Sequence, residues 1–184
     1  IYITNNSSKS TADYVKKFER MGIEAEDDDF VTAGSYTLSY LLEHHVTDKI
    51  FVMATASYYN ELKKNDLCVT TDCDASVDIV LTAFDTELTY EKVEKACRLL
   101  MDPKKERIWL ATNADLRCPV DFGMIPDCGS ICNMLQAATD RTPQYLGKPS
   151  PGLADYSMEM TGFSKEERAL LQDFTRRISR NLLD

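Results

Sequence analysis

Apolar residues recur along the chain in short alternating blocks of two periods. Ile1–Thr4 reads as the end of a buried strand running into the polar turn Asn5-Asn6-Ser7-Ser8. Ser10-Thr11-Ala12-Asp13 has the form of a capping box, and Tyr14, Val15, Phe18 and Met21 follow at helical spacing up to Gly22. An acidic stretch, Glu24 to Asp29, reads as a solvated linker, after which Thr32 caps a second helix running to about His45. Ile50–Ala54 predicts a buried strand, residues 56–65 a helix, and Val77–Phe84 a further strand. Thr89 caps a helix with Val93, Ala96, Cys97 and Leu100 on one face, Arg107–Thr112 is strand-like, and Ile131, Met134, Leu135 and Ala138 outline one more helix. Tyr36, Tyr40, Trp109 and Met134 are read as packing residues, and His44-His45 as a helix end. Strands alternating with helices predict an α/β sheet with crossovers.

Composition narrows the function. With 30 acidic against 21 basic residues the net charge is −9, which speaks against nucleic acid as a partner, since such binders need Lys and Arg to displace counterions. No apolar run reaches membrane-spanning length, so no membrane partner is expected. Six cysteines lie at spacings unlike a zinc knuckle, and reduced thiols in a cytoplasmic protein are the expectation. The chain opens inside a strand-like run without Met, as if it began within a larger protein.

Two polar segments far apart in sequence carry the candidate chemistry. Thr4-Asn5-Asn6-Ser7 follows a strand, where a hydroxyl and successive backbone N–H groups make a seat for an anion. Gly147-Lys148-Pro149 holds an ammonium on a stiff loop. Each alone is an ordinary turn or surface loop. In this order and separation they resemble the second and third motifs of the haloacid dehalogenase-like superfamily, in its NagD-like, p-nitrophenylphosphatase-type branch. Asp85-x-x-x-x-Tyr90, Ala111-Thr112-Asn113-x-Asp115 and Thr142-Pro143 resemble segments of the large α/β cap that this branch inserts between those motifs.

The resemblance implies a Rossmann-like core fragment (residues 1–22), an inserted α/β cap (23–140) and a second core fragment with the lysine motif (141–184). It implies a phosphatase that hydrolyses a small phosphorylated metabolite through a phospho-aspartate with Mg²⁺ as cofactor. Thr4 and Asn5, with Asn6 beside them, and Lys148 would hold the phosphoryl group, Lys148 doing so catalytically by neutralising charge. Tyr90, Cys118 and Pro119 would sit where relatives place specificity residues, although some relatives have His at the position of Cys118. The Asp-x-Asp of the first motif is expected upstream of Ile1, and Asp72-Cys73-Asp74 is read as a solvated loop. Near the fourth motif only Asp173 stands as a candidate metal ligand, between Gln172 and Ile178 where a Gly and a second acid belong, on an amphipathic helix opened by Ser164-x-x-Glu167. The alternative is a truncated, non-catalytic relative that binds phosphorylated ligands or a partner protein. Exposed core edges would favour a homodimer.

Overall fold

The computed structural model describes residues 1–148 and 150–162. Asp173 and the capping box at Ser164 lie outside the described residues.

Two parallel sheets organise the chain. Strand β1 (Tyr2–Thr4) leads through α1 (Thr11–Arg20) to β2 (Phe30–Thr32), which pairs with β1 in parallel, Tyr2 opposite Phe30. The capping box that begins α1 is present: the Ser10 side chain accepts from Asp13 N–H, and the Asp13 carboxylate accepts from Ser10 N–H. Phe30 is stacked between Tyr2 and Tyr14, with Phe18 edge-on, so aromatic faces glue α1 to this short sheet. The acidic run ends in a 3₁₀ turn at Asp27–Asp29.

The larger sheet has five parallel strands in the order β4 (Val69–Thr70), β3 (Ile50–Met53), β5 (Ile79–Thr82), β6 (Ile108–Ala111) and β9 (Gln144–Tyr145). Both faces are covered, so β3 and β5 are buried throughout rather than alternating in exposure. Phe51, Met53, Val80 and Trp109 pack beneath α4 (Tyr90–Leu100) and α5 (Cys128–Thr139). Ile50, Val52, Leu81 and Leu110 face α2 (Ala33–His44) and α3 (Ala56–Lys64) through Leu41, Tyr58 and Leu62. Thr32 and Thr89 cap α2 and α4 as their positions suggest. Asp85 is buried with a fully covered side chain and binds the Lys92 ammonium at 2.7 Å; that ammonium also donates to the Ala54 carbonyl.

The sheet hydrogen bonds cross both expected domain boundaries. Strand β2 falls after residue 22 yet belongs with β1, and β9 falls after residue 140 yet closes the five-stranded sheet. The inner face of α5 also differs from the expected one. Cys128, Ile131, Cys132 and Leu135 are buried, whereas Met134 is 43% exposed, because the two cysteines sit at the i, i+3, i+4, i+7 positions that face β5 and β6. Two further elements were not foreseen: the antiparallel hairpin β7 (Arg117–Val120) and β8 (Gly123–Pro126), and α6 (Pro151–Thr161), which starts on the Pro/Gly-rich loop with Pro at its first turn.

Candidate functional site

In parallel sheets the loops following the strands gather at one edge, and here the Thr4–Ser8 turn lies across that edge of the large sheet. Ser7, fully buried, shares a 2.7 Å hydrogen bond with the Thr112 hydroxyl after β6 and accepts from Phe84 N–H after β5. Thr55, after β3, donates its hydroxyl to the Ser8 carbonyl at 2.8 Å. Asn113 donates to the Asn5 carbonyl at 2.9 Å. The Asn5 side chain completes the set: its Oδ1 accepts Lys148 N–H at 3.0 Å, and its Nδ2 donates to Asp115 Oδ2 at 2.9 Å and to the Lys148 carbonyl at 3.4 Å. The polar turn after β1 and the lysine loop after β9, 143 residues apart, are therefore in direct contact.

Within that junction the Thr4 oxygen accepts Asn6 N–H at 3.2 Å, and its hydroxyl also reaches the Tyr14 phenol. The Asn6 Oδ1 is turned back into its own loop, accepting from Ser8 N–H and the Ser8 hydroxyl. The Lys148 ammonium is half-buried and makes no ion pair or hydrogen bond among the described residues. Burial holds it below the ordinary lysine range, and the nearby Asp115 charge opposes that shift. Gly147 is required by contact: a Cβ there would stand 2.4 Å from the Thr112 carbonyl oxygen and 3.1 Å from Asn5 Oδ1.

Two residues without an assigned role in the sequence border this junction. Asp127 caps α5, accepting Cys128 N–H, and is buried. Burial, with the Asp115 charge adding to it, pushes its carboxyl up to about 6, against the Cys128 and Asn113 hydrogen bonds. Tyr14 on α1 faces the Thr4 hydroxyl and is raised to about 12, chiefly by burial and then by the field of Cys118. An N-cap Asp before Cys128-Gly129-Ser130 was a readable signal; the placement of Tyr14 was not, since it depends on the α1–β2 packing.

The cap candidates separate. Cys118, in β7, is half-buried and lies close enough to Tyr14 and Asp127 to feel both, with burial raising its thiol. Pro119 beside it is exposed. Tyr90, the first residue of α4, is 82% exposed and joins none of the hydrogen bonds of the junction. Asp72-Cys73-Asp74 is an exposed loop whose Asp74 pairs with Lys49, the residue before β3, at the opposite edge of the sheet.

The resemblance implies a divalent metal. Among the described residues no group of three or more His, Cys, Asp or Glu side chains is arranged to hold an ion. Asp115 is engaged by Asn5 and the Asp127 carboxyl is desolvated. The described residues do not form a magnesium centre by themselves.

An α/β sheet with a polar turn and a lysine loop meeting at its edge is shared with known proteins. Residues 1–68 match the model of the haloacid dehalogenase-like hydrolases. Over 173 residues the chain is 29% identical to an acid sugar phosphatase of Staphylococcus epidermidis, covering 94% of this chain and 65% of that relative. The solved 4-nitrophenylphosphatase of Thermotoga maritima superposes with a TM-score of 0.81 at 35% identity, over 90% of this chain and 62% of that one. A structure described as a putative nagD protein does so with a TM-score of 0.82 at 34% identity, over 90% and 63%. The family match, the curated relative and these structures together support a haloacid dehalogenase-like hydrolase of the NagD-like kind. It spans 65% of the length of the curated relatives it matches. Among the described residues no helix is long and apolar enough to cross a membrane.

Proposed function

We propose that this chain carries the phosphate seat and the cap of a phosphomonoesterase acting on a small phosphorylated metabolite. The observation that carries the reading is the contact of the Thr4–Ser8 turn with the Lys148 loop through the Asn5 side chain. In this reading the Thr4 hydroxyl donates to a phosphoryl oxygen, as does the backbone N–H of Asn5. The Lys148 ammonium, half-buried and in no ion pair among the described residues, offsets the negative charge that the phosphoryl oxygens bring. Low local polarity strengthens that attraction over its value in water. Cys118 and Pro119, on the hairpin beside Tyr14, are the proposed contacts to the rest of the substrate; the exposed position of Tyr90 lends it no such support. A divalent metal and an aspartate nucleophile belong to the superfamily's chemistry, and no step here is assigned through them.

Inorganic phosphate titrated into the protein and followed by ³¹P NMR tests the seat. Because hydrogen bonds to charged groups contribute about 1.5–3 kcal/mol, Lys148→Ala should weaken binding roughly tenfold or more. Equal affinity in that variant would refute the seat. Hydrolysis of p-nitrophenyl phosphate with Mg²⁺ then separates a phosphatase from a relative that only binds phosphorylated ligands.

A further inference from the structure

The Asn5 carboxamide occupies a position that the phosphate-seat reading leaves without a role. Its three side-chain contacts fix its orientation. The atom facing Lys148 N–H must be the oxygen, and the atom facing Asp115 Oδ2 and the Lys148 carbonyl must be the nitrogen. Rotating the amide by half a turn would set its oxygen against the Asp115 carboxylate and its NH₂ against an N–H donor, so only one arrangement satisfies every partner. The amide thus contacts the Lys148 backbone on both sides of its Cα, at the N–H and at the carbonyl, while the Asn5 carbonyl is tied to Asn113 and the backbone of the same residue follows Thr4 directly. A lysine side chain has four rotatable carbon–carbon bonds and would otherwise sample many positions; here the peptide from which it springs is fixed to the residue next to the seat's hydroxyl. Gly147 lets this contact form, since a Cβ there would press on Asn5 Oδ1 and on the Thr112 carbonyl.

We propose that the Asn5 side chain is a positioning residue, one that sets the Lys148 ammonium against the Thr4 hydroxyl, with Asp115 holding the carboxamide in the required orientation. It acts through Lys148 and touches no phosphate itself. This rests on the phosphate-seat reading and deepens it: the lysine's contribution to binding depends on an amide from a loop at the far end of the chain. The same device ties the seat to the five-stranded unit, because Asp115 belongs to the loop after β6. Displacing that loop would release the amide and, with it, the lysine.

A double-mutant cycle on phosphate affinity tests the coupling. Affinity for inorganic phosphate is measured by ³¹P NMR for the parent, Asn5→Ala, Lys148→Ala and the double variant, each first shown to melt cooperatively. Asn5→Ala should weaken phosphate binding about tenfold in the parent, and by less than about twofold once Lys148 is already alanine. A residue serving the fold alone would give the same loss in both backgrounds. Should Asn5→Ala fail to fold, Asn5→Ser replaces it: that variant stays neutral and polar but is too short to hold Lys148 N–H and Asp115 together, and the same non-additivity is expected. Lys148→Ala weakening phosphate while the Asn5 variants add independently, or do nothing, overturns the positioning role and leaves the seat standing. Lys148→Ala binding phosphate as tightly as the parent removes the seat and the positioning role together.

Discussion

The buried carboxyl of Asp127 shows how one residue can set a pH dependence. Burial raises its folded-state value from the ordinary 3.8 to about 6. Between those values the folded chain binds a proton that the unfolded chain has released, so stability falls as pH rises through that window and the full penalty is present above it. Asp127→Asn removes the titration and keeps an N-cap acceptor for Cys128 N–H. The variant should match the parent near pH 4 and exceed it by on the order of 1 kcal/mol at pH 7, less than the full shift because the new amide meets that of Asn113. Urea denaturation at the two pH values measures this, and a difference independent of pH would mean that the carboxyl is not desolvated. At this scale the sequence was partly legible. Thr4 and Lys148 stand out only through the resemblance of their two segments to family motifs, since each alone is an ordinary turn or loop residue. Asn5 looked like a backbone donor, since nothing local says that its amide will meet a peptide group 143 residues away. Tyr14 reads as one of several apolar positions on α1, and only the pairing of β1 with β2 turns it toward Thr4.

Helices and long strands are the most legible elements, because capping side chains and a 3.6-residue apolar period are local signals, and the caps stand in the structure at Ser10, Thr32 and Thr89. What escaped was short or irregular. Strand β2 has three residues behind an acidic run, β9 has two behind a proline, and the β7–β8 hairpin turns through Asp121-Phe122 with Gly123 beyond it, without the Asn-Gly or Asp-Gly pair that marks tight turns. Helix α6 begins at a proline of the Pro/Gly-rich loop. These elements carry the site's supports, and their pairing comes from tertiary contacts that have no local signature. Gly129, in the first turn of α5, illustrates this. A Cβ there would stand 2.3 Å from the Ala114 carbonyl oxygen and 2.8 Å from that of Asp115, both backbone atoms that cannot swing away. Gly129→Ala should therefore destabilise by about 1–3 kcal/mol, where an alanine in an open helix would stabilise instead. Thermal unfolding should show a loss of roughly 3 °C or more. An unchanged or higher melting temperature would mean that α5 does not press on the loop carrying Asp115.

Across the whole molecule, one turn joins two sheets. The alternation of strands and helices is enough to call the chain α/β, and the two polar segments are enough to suggest where an anion would sit. The sequence does not reveal that the five-stranded sheet reaches past residue 140 to recruit β9, or that Ser7 is fully buried between β5 and β6. Ser7 looks like a turn residue, and its burial follows from the large sheet presenting the Thr112 hydroxyl and Phe84 N–H at one point. Removing its hydroxyl leaves Phe84 N–H without its acceptor and the Thr112 hydroxyl with only the weak Cys128 sulfur, which costs about 1–3 kcal/mol. The penalty should fall on the junction, because β3, β5 and β6 keep their own ladder and both covering layers. In Ser7→Ala, amide hydrogen exchange should therefore accelerate at β1, α1 and β2, while the central strands of the large sheet retain their protection. Equal acceleration in both sheets would show that the molecule opens as one cooperative unit. Unchanged exchange at β1 would show that the turn is held by Thr55 and Asn113 without the serine. The first pattern is expected because the smaller sheet has only two three-residue strands, so its order depends on what the turn is fastened to.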